Sequence, residues 1–184
     1  VQELWFSGAV STAADYQAFR SALQNSSISP RSVWADGTEK QFGQLRLLVL
    51  HPFRDESGEE FDSPHDADVV VKVTYDQEDI LLTGDLEEEH EKAIIAACRL
   101  PSCSLQANVF QVPHHGSSYG LAPAFLQAIN PKIALIPVGV NNAYHHPGSS
   151  TIKKLEDKQV KIYRTDTQGR IHLVIGPDEV RAPP

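Results

Sequence analysis

Short apolar runs recur along the chain, and between several of them apolar positions return every three or four residues. The runs predict strands over residues 4–6, 44–50, 69–75, 80–83, 109–112, 133–138, 160–163 and 171–175, with a strand-like stretch at 32–35. Helical spacing predicts helices over residues 12–24, 87–99, 123–129 and 149–156. Ser11 or Thr12 can cap the first, the second opens on an acidic turn, and the third has Pro123 in its first turn. Asp36-Gly37 and Gln168-Gly169 read as turns. Residues 69–83 read as a hairpin around Asp76-Gln-Glu-Asp79, whereas strands and helices alternate over most of the chain. That mixture predicts a layered α/β fold with a mixed sheet.

The chain has 184 residues, 41% of them hydrophobic, which suits one domain spanning 1–184 with its own core. Within it, residues 54–68 form an acidic surface loop and 176–184 a tail. Val1-Gln-Glu-Leu-Trp-Phe6 reads as a strand already under way, so the sequence is expected to be a piece of a longer protein. No apolar run approaches the roughly 20 residues of a membrane span. The net charge of −8 and a pI near 5.4 argue against broad duplex binding through a basic face. A nucleic acid held through metal ions stays compatible with that charge. Cys98 and Cys103 can pair in an oxidising compartment or remain thiols at a helix end; two cysteines do not make a four-ligand zinc site.

Three apolar runs stop at residues that bind metals. Ile80-Leu-Leu-Thr-Gly-Asp85 ends on a carboxylate, which either ligates metal or caps the helix that follows. Val112-Pro-His-His-Gly-Ser-Ser118 places His114 and His115 just beyond a strand, with Gly116 to allow a sharp turn. Neutral imidazole at such a point suits zinc and other first-row metals. Asn141-Asn-Ala-Tyr-His-His-Pro147 brings His146 onto a polar rim, where it ligates metal, faces substrate or supports a ligand. His51, His90 and His172 are weaker candidates, and His65-Asp-Ala-Asp68 looks like half a metal motif inside a solvated acidic loop. There is no Gly-x-Ser-x-Gly elbow and no phosphate-cradling glycine loop. Ser117 beside His115 does not make a nucleophile–base pair.

Leu81-Leu-Thr-Gly-Asp85, Val112-Pro-His-His-Gly-Ser117, Asn142-Ala-Tyr-His-His-Pro147 and the segment from Val160 to Ile171 follow one another in order. Together they resemble the metallo-β-lactamase-like domain of ComEC-type competence (DNA-uptake) proteins, and Trp5-Phe-Ser-Gly8 resembles the strand before that family's first helix. The resemblance covers roughly residues 1–175. It implies a four-layer αββα sandwich with a metal site at one edge of two mixed sheets, its N-terminal part lying outside this sequence. It also implies Asp85 and His114 as metal ligands for Zn2+ or Mn2+, His115 and His146 as catalytic or substrate-facing residues, and hydrolysis of a phosphodiester or another ester. The expected substrate is DNA, single-stranded, and the expected partner is a membrane channel portion of the same or another chain. The expected location is membrane-associated through the parent protein on the extracytoplasmic side, with this fragment soluble. The family's main His-x-His/Asp-x-Asp-His motif is not in this sequence, and its Asn-rich segment is here His65-Asp-Ala-Asp68. The fragment is accordingly expected to hold metal weakly or not at all and to be inactive alone. The alternatives are a non-catalytic accessory domain of a DNA-translocation channel and a hydrolase of small esters or lactones.

Overall fold

The computed structural model describes residues 3–35, 38–61, 64–98, 103–176 and 180–181. In chain order the elements are β1 (Glu3–Phe6), α1 (Ala14–Gln24), β2 (Ser29–Ser32), β3 (Glu39–Phe42), β4 (Leu45–His51), β5 (Val70–Tyr75), β6 (Glu78–Leu82), α2 (Glu88–Ala97), β7 (Val109–Gln111), α3 (Pro123–Ile129), β8 (Ile133–Ile136), α4 (Ser149–Asp157), β9 (Lys161–Arg164), α5 (Thr165–Gln168), β10 (Val174–Ile175) and β11 (Val180–Arg181). Short 3-10 turns occupy Pro64–Ala67 and His114–Gly116.

Seven strands form one mixed sheet in the order β3-β4-β5-β6-β7-β8-β9. Its first half is an antiparallel meander through β6, and its second half is parallel from β6 to β9. The two regimes follow from the connections: Asp76-Gln77 turns the chain back in two residues, whereas α2, α3 and α4 carry it over the sheet to the next parallel strand. β1 and β2 pair in parallel around α1, and β10 and β11 form a short antiparallel pair.

Side chains alternate between the two faces of the sheet. Leu81, Phe110 and Ala134, adjacent in register, enter a core shared with Leu86 and Ile94, Phe125 and Leu126, and Leu155 from the helical side. Their neighbours Ile80, Val109 and Ile133 face the other way and pack with Tyr163, Ile171 and Leu173. Cys98 and Cys103 form a disulfide, Cα to Cα 4.8 Å, which ties the end of α2 to the segment leading into β7.

The mixed sheet matches the sequence expectation, and α3 begins and ends where its pattern does. Several boundaries differ. The first helix starts at Ala14 with Ala13 as its cap, and Ser11 instead accepts the Ala13 N–H. The strand expected at 32–35 lies earlier, at Ser29–Ser32, with Pro30 inside it; a two-stranded sheet is all edge, where a missing N–H is tolerated. The stretch read as a tail pairs through Val180–Arg181 with β10. The acidic loop carries the 3-10 turn at Pro64–Ala67 and is bonded to the β1 exit through Val10 N–H to the Glu59 carbonyl. The turn read at Asp36-Gly37 lies outside the described residues.

Candidate metal centre

All the strand-end residues singled out in the sequence sit at the carboxyl end of the parallel half of the sheet. Loops leaving such strands diverge there and open a crevice, which is why open α/β sheets bind ligands at that edge. β6 delivers Thr83-Gly84-Asp85, β7 delivers Pro113-His114-His115, and β8 delivers the loop that carries Tyr144 and His146.

Asp85 is not a helix cap: α2 begins at Glu88 with Glu87 in the cap position. Asp85 Oδ1 stands 3.6 Å from His115 Nε2. His115 Nδ1 lies 2.7 Å from the Pro137 carbonyl oxygen, which can only accept, so the proton is on Nδ1. In the neutral ring, Nε2 therefore turns a lone pair toward a carboxylate. Two acceptors facing each other at that distance suit a proton or a cation between them, and carboxylate and imidazole together are donors that first-row metals take.

The turn that presents the histidines is unusual in its backbone. His114, His115 and Gly116 are consecutive left-handed residues, with φ of 50°, 54° and 79°. Non-glycine residues adopt that region at a cost and persist there when the surroundings hold them. Here the His114 N–H donates to the Gly84 carbonyl, and the Gly148 N–H donates to the Gly116 carbonyl. The buried Thr151 hydroxyl of α4 donates to the Ser117 carbonyl. A Cβ on Gly116 would lie 2.7 Å from Pro147 Cβ, so only glycine fits between the two motifs.

His146 is brought against this turn, its ring centroid 5.8 Å from that of His114 and stacked on Tyr144. Asn142 holds its backbone from both sides, accepting the His146 N–H and donating to the His146 carbonyl. Partial burial, then the neighbouring His114 and His115, push the His146 pKa down and favour its neutral form. On the other side Asp68 is pushed up to about 6, chiefly by burial, with Asp85 adding to the rise and His65 opposing it.

The structure thus gathers Asp85, His114, His115 and His146 at one edge. It also brings in two residues that the sequence argument weighted lightly or missed. The His65 ring lies 4.8 Å from that of His114, and Glu87 joins both in a group whose ligand atoms lie within 4.8 Å of one another. A second such group is Asp66, Glu89 and His90, with His51 edge-on to His90. His65 had a signal in its His-Asp-x-Asp pattern; Glu87 had none beyond an acidic run.

Residues 38–140 match the metallo-beta-lactamase superfamily. The chain is 38% identical over 91 residues to the ComE operon protein 3 of Bacillus subtilis, covering 50% of this chain and 11% of that protein. It is 29% identical over 113 residues to the competence protein ComA of Neisseria gonorrhoeae, covering 61% and 16%. It is 30% identical over 134 residues to the uncharacterized protein YcaI of Escherichia coli, covering 73% and 17%. This sequence therefore spans less than a fifth of each of these relatives. No described helix is long and apolar enough to cross a membrane. With more than half of its length matched and its metal-binding residue types collected at one sheet edge, the chain belongs to the metallo-beta-lactamase superfamily.

Proposed function

We propose that this chain is part of a metal-dependent hydrolase domain of a DNA-uptake protein, and that the domain cleaves phosphodiester bonds of DNA. The observation that carries the reading is the meeting of Asp85, His114, His115 and His146 where three adjacent parallel strands end. The similarity to proteins named for competence supplies the uptake context. In that context the domain is attached to a membrane channel through its parent protein, on the extracytoplasmic side.

His114 and Asp85 hold the metal. Zn2+ or Mn2+ bound there would polarise a phosphoryl oxygen and lower the pKa of a coordinated water. The remaining work falls to the protein. Because the Pro137 carbonyl fixes the His115 proton on Nδ1, Nε2 is free to accept a proton from a water beside Asp85. His146, held neutral and braced by Asn142, faces substrate from the opposite wall. Between them lies a cleft of about 360 Å³ that also includes Tyr144, 81% exposed. An aromatic ring this exposed, stacked on His146 beside a phosphate-binding point, suits an unpaired base, which favours single-stranded DNA. With a net charge of −8 the chain has little general attraction for DNA, so binding is expected to depend on the metal.

The test uses the parent protein loaded with Zn2+ or Mn2+, a labelled single-stranded oligonucleotide, and a panel of small esters and lactones. Metal-dependent cleavage of the oligonucleotide, abolished by chelation, is expected. His115→Ala is expected to lower the cleavage rate by about 10²- to 10⁴-fold. Turnover of esters alone would replace the nuclease reading, and no metal-dependent cleavage of any substrate would end the hydrolase reading.

A further inference from the structure

We infer that His65, Glu87 and His114 form a three-donor metal site complete within this chain. One ligand atom from each lies within 4.8 Å of the others. They come from three separate parts of the chain: the 3-10 turn at Pro64–Ala67, the cap position of α2, and the turn after β7. Two imidazoles and one carboxylate are the protein ligands of several catalytic zinc sites, which leave the fourth position open. Donors around a tetrahedral zinc stand about 3.3 Å apart at ordinary bond lengths. The present separations, up to 4.8 Å, must contract by at most about 1.5 Å to reach that value.

Three details favour ligation over chance proximity. Glu is not among the residues favoured at a helix cap, and the Glu87 side chain makes no capping hydrogen bond. Its carboxylate instead approaches the two histidines. His65 Nδ1 lies 3.7 Å from Asp68 Oδ2, a buried oxygen without a hydrogen-bond partner, so a short shift on metal binding would let that carboxylate orient the imidazole. His114 is held in a left-handed conformation by the backbone bond to Gly84, which fixes where its ring projects. Access exists as well: Glu87 and His114 line an open cleft of about 470 Å³ with Ser117, Tyr119 and Gly120.

The site shares His114 with the reading above and rests on that reading for the chemistry its ion would serve. It departs from it in the ligands: His65 and Glu87 do the holding, and Asp85 is left to its contact with His115. It also means that this stretch binds metal without ligands from elsewhere in a longer protein, contrary to the sequence expectation of weak or absent binding.

The test is calorimetric titration of the metal-free chain with Zn2+, paralleled by the visible absorption of bound Co2+. The wild-type chain is expected to bind one ion. His65→Ala and Glu87→Gln are each expected to weaken binding at least tenfold and to change the Co2+ spectrum, with circular dichroism unchanged. If both variants bind as the wild type does, while Asp85→Asn and His114→Ala lose the ion, the inference falls and the earlier reading stands. No binding by the wild-type chain also overturns it. Phosphodiester cleavage is scored separately: an ion held through His65 and Glu87 without cleavage would keep the site and sink the hydrolase reading.

Discussion

Glu91 is an acid placed where an acid is costly. It is fully buried in α2, its Oε2 accepts the Ala122 N–H at 2.7 Å, and its Oε1 has no hydrogen-bond partner. Burial pushes its pKa up to about 8, against the opposing Ala122 hydrogen bond. The unfolded chain releases this proton near 4.5 and the folded chain near 8, so the folded state binds more protons in between. Stability contributed at this position is therefore greatest below pH 4.5 and falls as pH rises toward 8, by at most about 5 kcal/mol. Glu91→Gln removes the titration and keeps the acceptor for Ala122. Its urea midpoint is expected to exceed that of the wild type at pH 8 and to match it near pH 4.5. An unchanged difference across that range would mean that Glu91 is ionised in the folded protein. Nothing in the sequence marks this residue, because a glutamate among Glu87, Glu88 and Glu89 reads as surface. His114 and His115 were legible because they interrupt an apolar run, a context that leaves few other uses for them. Glu87 was not, since its approach to His65 and His114 depends on α2 starting one residue later than the pattern suggests, which leaves Glu87 at the cap position.

At the scale of elements, apolar periodicity located the central strands and the three covering helices, because those elements owe their stability to burial on the helical face of the sheet. It missed β3, whose residues Glu39–Phe42 are mostly polar and which lies at the sheet edge, and α5, a single turn. Such elements are specified by their neighbours, which a local pattern does not contain. Lys72 shows the same limit. A lysine in β5 reads as a solvent-facing alternation, yet it is 8% exposed. Its ammonium donates to the Ser104 and Gln106 carbonyls, each at 2.9 Å, and pairs with Asp79 Oδ2 at 2.8 Å. All three protons are used, and the antiparallel half of the sheet is thereby joined to the segment that feeds β7. Lys72→Met keeps the length of the side chain but strands two carbonyls and a carboxylate. It is expected to cost about 3 kcal/mol in denaturant unfolding. A loss below about 1 kcal/mol would show that water replaces the ammonium and that the join is dispensable.

Over the whole molecule, the two faces of the seven-stranded sheet are unequal. The helical face closes over a core of fully buried side chains that includes Leu81, Phe110 and Leu155. The other face is apolar by register but only partly covered: Ile80, Leu135 and Leu173 are half-buried, Leu82 is 40% exposed, and a cleft of about 400 Å³ runs among them. An antiparallel sheet often leaves one face to water with polar residues on it, but the parallel half of a sheet is normally covered on both sides. A four-layer sandwich, which the sequence motifs imply, would place a second sheet here. Ile171 and Leu173 pack on part of this face, in the segment that leads into β10 and its short pair with β11. A contiguous apolar surface of this kind drives association between copies when nothing else occupies it. Leu82→Asp places a charge at the exposed end of β6 without entering the helical core. It is expected to reduce self-association in sedimentation velocity and to weaken binding of an apolar fluorescent dye, with the thermal midpoint little changed. A large fall in the midpoint would mean instead that Leu82 is part of a core closed by residues 171–175, and that this face needs no second layer.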